Sequence, residues 1–161
     1  ADAEFEDLAQ PDVLVFPGGV GTRPLQTDER VLAWVRGAHA STRFTTSVCT
    51  GSLVLGAAGL LDGLTATSHW ATYPALEQHG ASATADRVVE HLDRRLITAA
   101  GVSSGIDMAI RLVELLVDDI AAQAAQCMIE YDPQPPFDAG APTKVSDEVM
   151  TRLIEYAALR Q

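Results

Sequence analysis

The stretch RFTTSVCTGSLVLGAAG (43–59) passes from a β-branched run straight into an apolar helical run, and one cysteine, Cys49, stands at the junction. A strand feeding directly into a helix is the building unit of a largely parallel sheet covered on both faces. A chain that turns this sharply brings the residues two before and two after the turning point close together, so both must be small. Ser47 and Gly51 meet that demand. S-V-C-T-G therefore has the form of the nucleophile elbow G-x-S-x-G with cysteine in place of serine. The new helix aims N–H groups and its positive end at the turning residue, which favours a thiolate and makes the thiol a competent nucleophile. The N–H of Thr50 is placed to stabilise developing negative charge.

The rest of the chain fits the same architecture. PDVLVFPGG (11–19) is a buried strand stopped by Pro-Gly-Gly, and TDERVLAWVRGAHA (27–40) is a helix capped by Thr27 or Asp28. TATSH (65–69) reads as a short strand and ATYPALEQHG (71–80) as a short helix closed by Gly80. RVVEHLDRRLITAAG (87–101) is expected to form two strands about an Asp93-Arg94 turn. Helices follow over 103–117 and 118–131, then a Pro/Gly-rich irregular segment over 132–143, then an amphipathic helix over 146–159 with Ser146 as its cap. The chain reads as one domain over 1–161, with neither repeats nor a linker.

In open α/β sheets, sites gather at the carboxyl ends of the strands. Two such ends carry unusual residues, Cys49 and the pair Gly18-Gly19, whose backbone amides can approach a ligand with no Cβ in the way. His69, after the short strand, can reach the same end. The stretch GGVGTR (18–23) lacks the Lys-Ser/Thr of a phosphate loop, and Pro24-Leu25 stands where a dinucleotide fingerprint needs its third glycine. Cys127, within AAQCMIE, is expected to pack in a helix, and His39, His79 and His91 read as surface or strand residues. No metal-ligand spacing is present, so no metal site is proposed. The formal net charge of −11 argues against nucleic acid and anionic membranes as partners. The longest apolar run, residues 53–61, is far too short to cross a bilayer. With no signal-peptide pattern at the start and two cysteines in a chain of this size, a cytoplasmic protein with reduced thiols is expected.

Taken in order, DVLVFPGG, TSVCTGSLVLGAAGLLDGLTATSHW, GVSSGIDMAIRLVE and IEYDPQPPFDAG resemble the ThiJ/PfpI superfamily of cysteine-elbow proteins. Thr50 after the cysteine and the tail from Tyr131 to Asp138 are most similar to its isocyanide hydratase group. The resemblance implies a flavodoxin-like sandwich, a homodimer without a cofactor, and a small-molecule substrate. It implies Cys49 as the nucleophile that attacks the terminal carbon of R–N≡C, with an N-substituted formamide as product. Thr50, through its N–H and its hydroxyl, and the Gly18 and Gly19 amides would line the pocket. Relatives carry an acidic proton donor near the end of their first strand. This chain begins at what resembles a later strand, so an N-terminal strand–helix–strand unit is expected to be missing from it. Alternatives are a glyoxalase-like or amidase/protease-like member of the superfamily, with His69 as the histidine that such chemistry needs, and a redox or ligand sensor using Cys49.

Overall fold

The computed structural model describes residues 3–8 and 10–158. Its elements follow the order β1 (Val13–Phe16), α1 (Thr22–Leu25), α2 (Glu29–Ser41), β2 (Phe44–Val48), α3 (Gly51–Ala57), β3 (Thr65–Ala66), α4 (Tyr73–Gln78), β4 (Ser82–Ala83), β5 (Val88–His91), β6 (Leu96–Ala99), α5 (Ser104–Leu116), α6 (Asp119–Met128) and α7 (Asp147–Ala158). Two compact units divide the chain at residue 126. The first holds the sheet and is described first.

A four-stranded sheet in the order β1-β2-β6-β5 forms its centre. β1, β2 and β6 are parallel, and β5 pairs antiparallel with β6 through the expected turn after His91. A separate parallel pair, β3-β4, lies outside it. All four residues of β6 are buried, as a strand covered on both faces requires. One face packs Val31, Leu32 and Val35 of α2 and Leu53, Val54 and Leu55 of α3 with Leu96. The other packs Met108 and Leu112 of α5 against Ile97 and Ala99. The architecture is thus the expected α/β sandwich with a mostly parallel sheet, and its helices lie on both faces.

Local chemistry sets the element ends. The Asp28 carboxylate accepts from the Arg30 N–H and starts α2, so Asp28 rather than Thr27 is the cap. Gly59 and Gly80 stop the segments after α3 and α4 at φ +81° and +84°, which glycine adopts without a Cβ penalty. β2 is unusual for a central strand because Thr45, Thr46 and Ser47 are buried in it. Thr46 Oγ1 donates to the Leu14 carbonyl at 3.1 Å, and Thr45 Oγ1 lies 2.8 Å from Thr42 Oγ1 and 3.0 Å from His39 Nδ1. Ser47 Oγ is the exception, buried with no partner among the described residues.

Some elements depart from the sequence reading. Thr22–Leu25 is a single helical turn and Ser82–Ala83 a short strand, and the sequence pattern predicts neither. The strand expected over 65–69 is only Thr65–Ala66, because the chain turns away at His69 into a 3-10 turn over Trp70–Thr72. In the second unit, α7 forms as expected and its residues are at least partly exposed. Cys127, expected to be packed, is exposed at the end of α6. Among the described residues, no helix is long and apolar enough to cross a membrane.

Two glycines offer a contrast that tests this packing. A Cβ on Gly51 would stand 2.1 Å from the Phe16 carbonyl oxygen, whereas one on the exposed helical Gly37 would meet nothing within 4 Å. Gly51→Ala is expected to cost about 3 kcal/mol or more, a fall in Tm of roughly 6–12 °C. Gly37→Ala should instead gain about 1 kcal/mol. Thermal unfolding of both variants checks the pair.

The histidines predict a pH dependence. Burial holds His39, His69 and His79 below the usual 6.5, and the nearby Arg95 adds to the effect on His39. As pH falls through that value the unfolded chain takes up protons that the folded protein resists, so acidification favours unfolding. The Tm is therefore expected to drop between about pH 7.5 and about pH 5.5. His79, bonded through Nε2 to Gln26 Oε1 at 3.0 Å, carries part of that slope, and His79→Gln should flatten it.

Candidate active site

Cys49 follows the carboxyl end of β2 and precedes α3, with its side chain half-buried and its backbone at φ +58°. An L-residue in that left-handed region is strained by about 1–2 kcal/mol. The surroundings hold it there from both sides. Its N–H is shared between the carbonyls of Ala99 (3.0 Å) and Ala100 (2.8 Å), at the end of the neighbouring strand β6. Its own carbonyl accepts from Ser68 Oγ at 3.0 Å, from Ser52 Oγ at 3.1 Å and from the Ser52 N–H at 3.4 Å.

Small residues make the turn possible. Beside the clash at Gly51, a Cβ on Gly18 would stand 2.6 Å from Cys49 Cβ and 2.9 Å from the Thr50 nitrogen. The Pro-Gly-Gly loop after β1 therefore lies directly against the elbow, and both strand ends singled out by the sequence meet in space.

Thr50 precedes the first residue of α3 and its hydroxyl is a hub. It accepts from the Gly19 N–H at 2.9 Å and from the buried Thr22 hydroxyl at 3.1 Å, and it lies 3.3 Å from the Gly19 carbonyl. Thr22 also donates to that carbonyl at 2.8 Å. The Thr50 hydroxyl and the Gly19 amide, both expected to face a ligand, are thus bonded to each other and clamp the glycine loop onto the elbow. The unforeseen α1 supplies the third member of this clamp.

His69 stands in the segment that also carries Ser68. Its Nδ1 accepts from the Ala71 N–H at 3.3 Å, which leaves the ring proton on Nε2. Burial keeps the ring neutral near pH 7. A Cβ on Gly101 would lie 3.6 Å from its Cδ2, so the ring borders the segment whose carbonyls hold the Cys49 N–H. Ser68, Ser52 and Thr22 were not found by sequence reasoning. Their contacts are long-range or belong to ordinary hydroxyl residues with no motif spacing, and only the proximity of Ser68 to His69 offered a hint. An open groove lined by Glu148, Val149, Arg152 and Tyr156 is the flank of α7 alone and contains none of these residues.

Residues 1–115 match the DJ-1/PfpI family. An isonitrile hydratase from Pseudomonas putida is 48% identical over 160 residues, covering 97% of this chain and 69% of that protein. A crystal structure of a ThiJ/PfpI family protein from Pseudomonas syringae superposes with a TM-score of 0.85 at 45% identity, over 93% of this chain and 62% of the other. An HTH-type transcriptional regulator, GbdR of Pseudomonas aeruginosa, is 30% identical over 112 residues, which are 70% of this chain and 30% of the regulator. The chain spans between about three-fifths and seven-tenths of the two most similar of these proteins. It belongs to the DJ-1/PfpI family, and within that family it is isonitrile hydratase-like.

Proposed function

We propose that this protein hydrates a small isocyanide to an N-substituted formamide, with Cys49 as nucleophile. The observation that carries the reading is a cysteine held at φ +58° between a strand and a helix, in a chain 48% identical to an isonitrile hydratase. The Cys49 thiolate adds to the terminal carbon of R–N≡C, and that carbon takes up a proton to give the thioimidate R–N=CH–S–Cys49. Water then adds to the same carbon and the nitrogen is protonated. The C–S bond breaks, releasing R–NH–CHO and returning the thiol. The sum is one isocyanide plus one water, with no redox change.

In this reading the Thr50 N–H, at the head of α3, and the Gly18 amide line the reacting carbon. The Thr50 hydroxyl acts through the loop it clamps. The neutral His69 offers Nε2–H as a donor near the substituent nitrogen. A homodimer in the cytoplasm, working without a cofactor, completes the proposal.

The similarity to part of a transcriptional regulator favours one second reading, a sensor that responds at the same cysteine. A thiolate that attacks carbon also attacks peroxide. Saturable turnover in the absence of oxidant distinguishes the enzyme from the sensor.

Incubation with an alkyl or aryl isocyanide, followed by detection of the formamide, tests the reading. Cys49→Ala is expected to lose at least about 1,000-fold in kcat while its unfolding temperature stays near that of the parent, since alanine fits the elbow in the same backbone conformation. Wild-type turnover persisting in that variant would overturn the assignment.

The clamp makes a separate prediction. Thr50→Val removes the acceptor for the Gly19 N–H and should lower kcat/KM by about 10-fold, while Thr50→Ser keeps the hydroxyl and should stay within about 2-fold of wild type. Steady-state kinetics of the two variants measures the difference.

A further inference from the structure

The carbonyl of Cys49 is bonded by a residue from a distant part of the chain. Ser68 is fully buried, lies 19 residues further on, and donates from Oγ at 3.0 Å. Its hydroxyl is also 2.9 Å from Thr72 Oγ1, which is 2.8 Å from the His69 carbonyl. The Ser68 hydroxyl donates to the Cys49 carbonyl, and the Thr72 hydroxyl donates to the His69 carbonyl, which also accepts from the Thr72 backbone N–H at 2.8 Å. The contact between the two hydroxyl oxygens thus joins the Cys49 carbonyl to the turn that carries His69.

We infer that Ser68 is a positioning residue for the nucleophile: it holds the strained peptide after Cys49 in place and sets the turn carrying His69 in register with it. The inference rests on the proposed role of Cys49 as nucleophile. On the other side of Cys49, the Ala99 and Ala100 carbonyls fix only the N–H. The carbonyl side would otherwise depend on Ser52, which belongs to the same helix start and moves with it. Ser68 is the anchor from outside that unit. Without it the peptide can rotate toward ordinary backbone angles, and rotation at Cys49 swings the thiol away from the Gly18 loop that lies against its Cβ.

The test measures Cys49 alkylation by iodoacetamide and isocyanide turnover side by side, in a Cys127→Ser background because Cys127 is exposed. Ser68→Ala is expected to slow both alkylation and kcat by about 10-fold with KM within about 2-fold of the parent. Thr72→Val, which removes the hydroxyl beside Ser68 Oγ and its bond to the His69 carbonyl without altering a fully buried side chain, should slow both by about 3-fold, and Thr72→Ser should restore them. If Ser68→Ala fails to fold, the two Thr72 variants carry the test. Folded Ser68→Ala with parental rates overturns the inference, as does equal behaviour of Thr72→Val and Thr72→Ser. So does a fall in Tm with no fall in rate per folded molecule, the mark of a purely structural bond. Alkylation needs no isocyanide, so its rates still decide the role of Ser68 if the parent protein turns none over.

Discussion

The left-handed backbone at Cys49 is the constraint on which the rest of the site depends. A cysteine side chain gains nothing there sterically, and its cost of about 1–2 kcal/mol is a sizeable part of the marginal stability of a domain. The conformation persists because both flanking peptides are fixed. Two carbonyls at the end of β6 take the N–H, and two serine hydroxyls take the carbonyl. The pairing of β2 with β6 is therefore part of the site as well as of the sheet, since its last register pair, Val48 with Ala99, sets where those carbonyls stand. Gly105 lets α5 pack closely on the same junction from the opposite face, where a Cβ would stand 3.0 Å from Val48 Cγ1.

The central strand carries an unusual load of buried hydroxyls. Thr45 and Thr46 are close to valine in shape, and Ser47, next to the end of β2 that meets the glycine loop, is much smaller than the Val, Ile or Leu of an ordinary buried parallel strand. Thr45 and Thr46 recover their polar cost through Thr42, His39 and the Leu14 carbonyl. Ser47 does not recover it, and an unpartnered buried hydroxyl costs about 1–3 kcal/mol. Its small volume at the crowded elbow accounts for a small residue at this position; nothing in the structure accounts for its hydroxyl.

Much of this was legible in the sequence, for reasons that differ by element. The elbow could be read because steric crowding leaves a local signature, with Ser47, Cys49 and Gly51 at fixed spacing. The hairpin of β5 and β6 and the cap of α2 were equally local. The meeting of Gly18 with Cys49 followed from topology, since parallel strands place their carboxyl ends side by side. What remained hidden was the hydrogen bonding between distant hydroxyls. Thr22, Ser52, Ser68 and Thr72 have no periodic or spacing signal, because what makes them important is the partner that the fold brings to them. The turn at Thr22–Leu25 escaped notice because four residues containing a proline carry almost no helical pattern. Cys127 stands beside Met128 and Ile129, an apolar neighbourhood that predicts burial but that the end of α6 leaves in solvent. All three are exposed.

The clamp between Thr50 and Gly19 bears on which chemistry suits this elbow. Hydrolysis of an amide or ester places a full negative charge on an oxygen, and a site built for it directs several N–H donors at that oxygen. Here the Gly19 amide is given to a side chain of the protein instead, so the glycine loop offers fewer donors than its sequence suggests. Attack on an isocyanide develops charge at a carbon, which is relieved by a proton and not by an array of hydrogen bonds. A rigid, small-walled turn with few outward amides asks little of the substrate beyond access to a linear terminal atom. For the proposed hydration, that economy makes the precision of the thiol's position, rather than an oxyanion hole, the property that the surrounding hydroxyls have to secure.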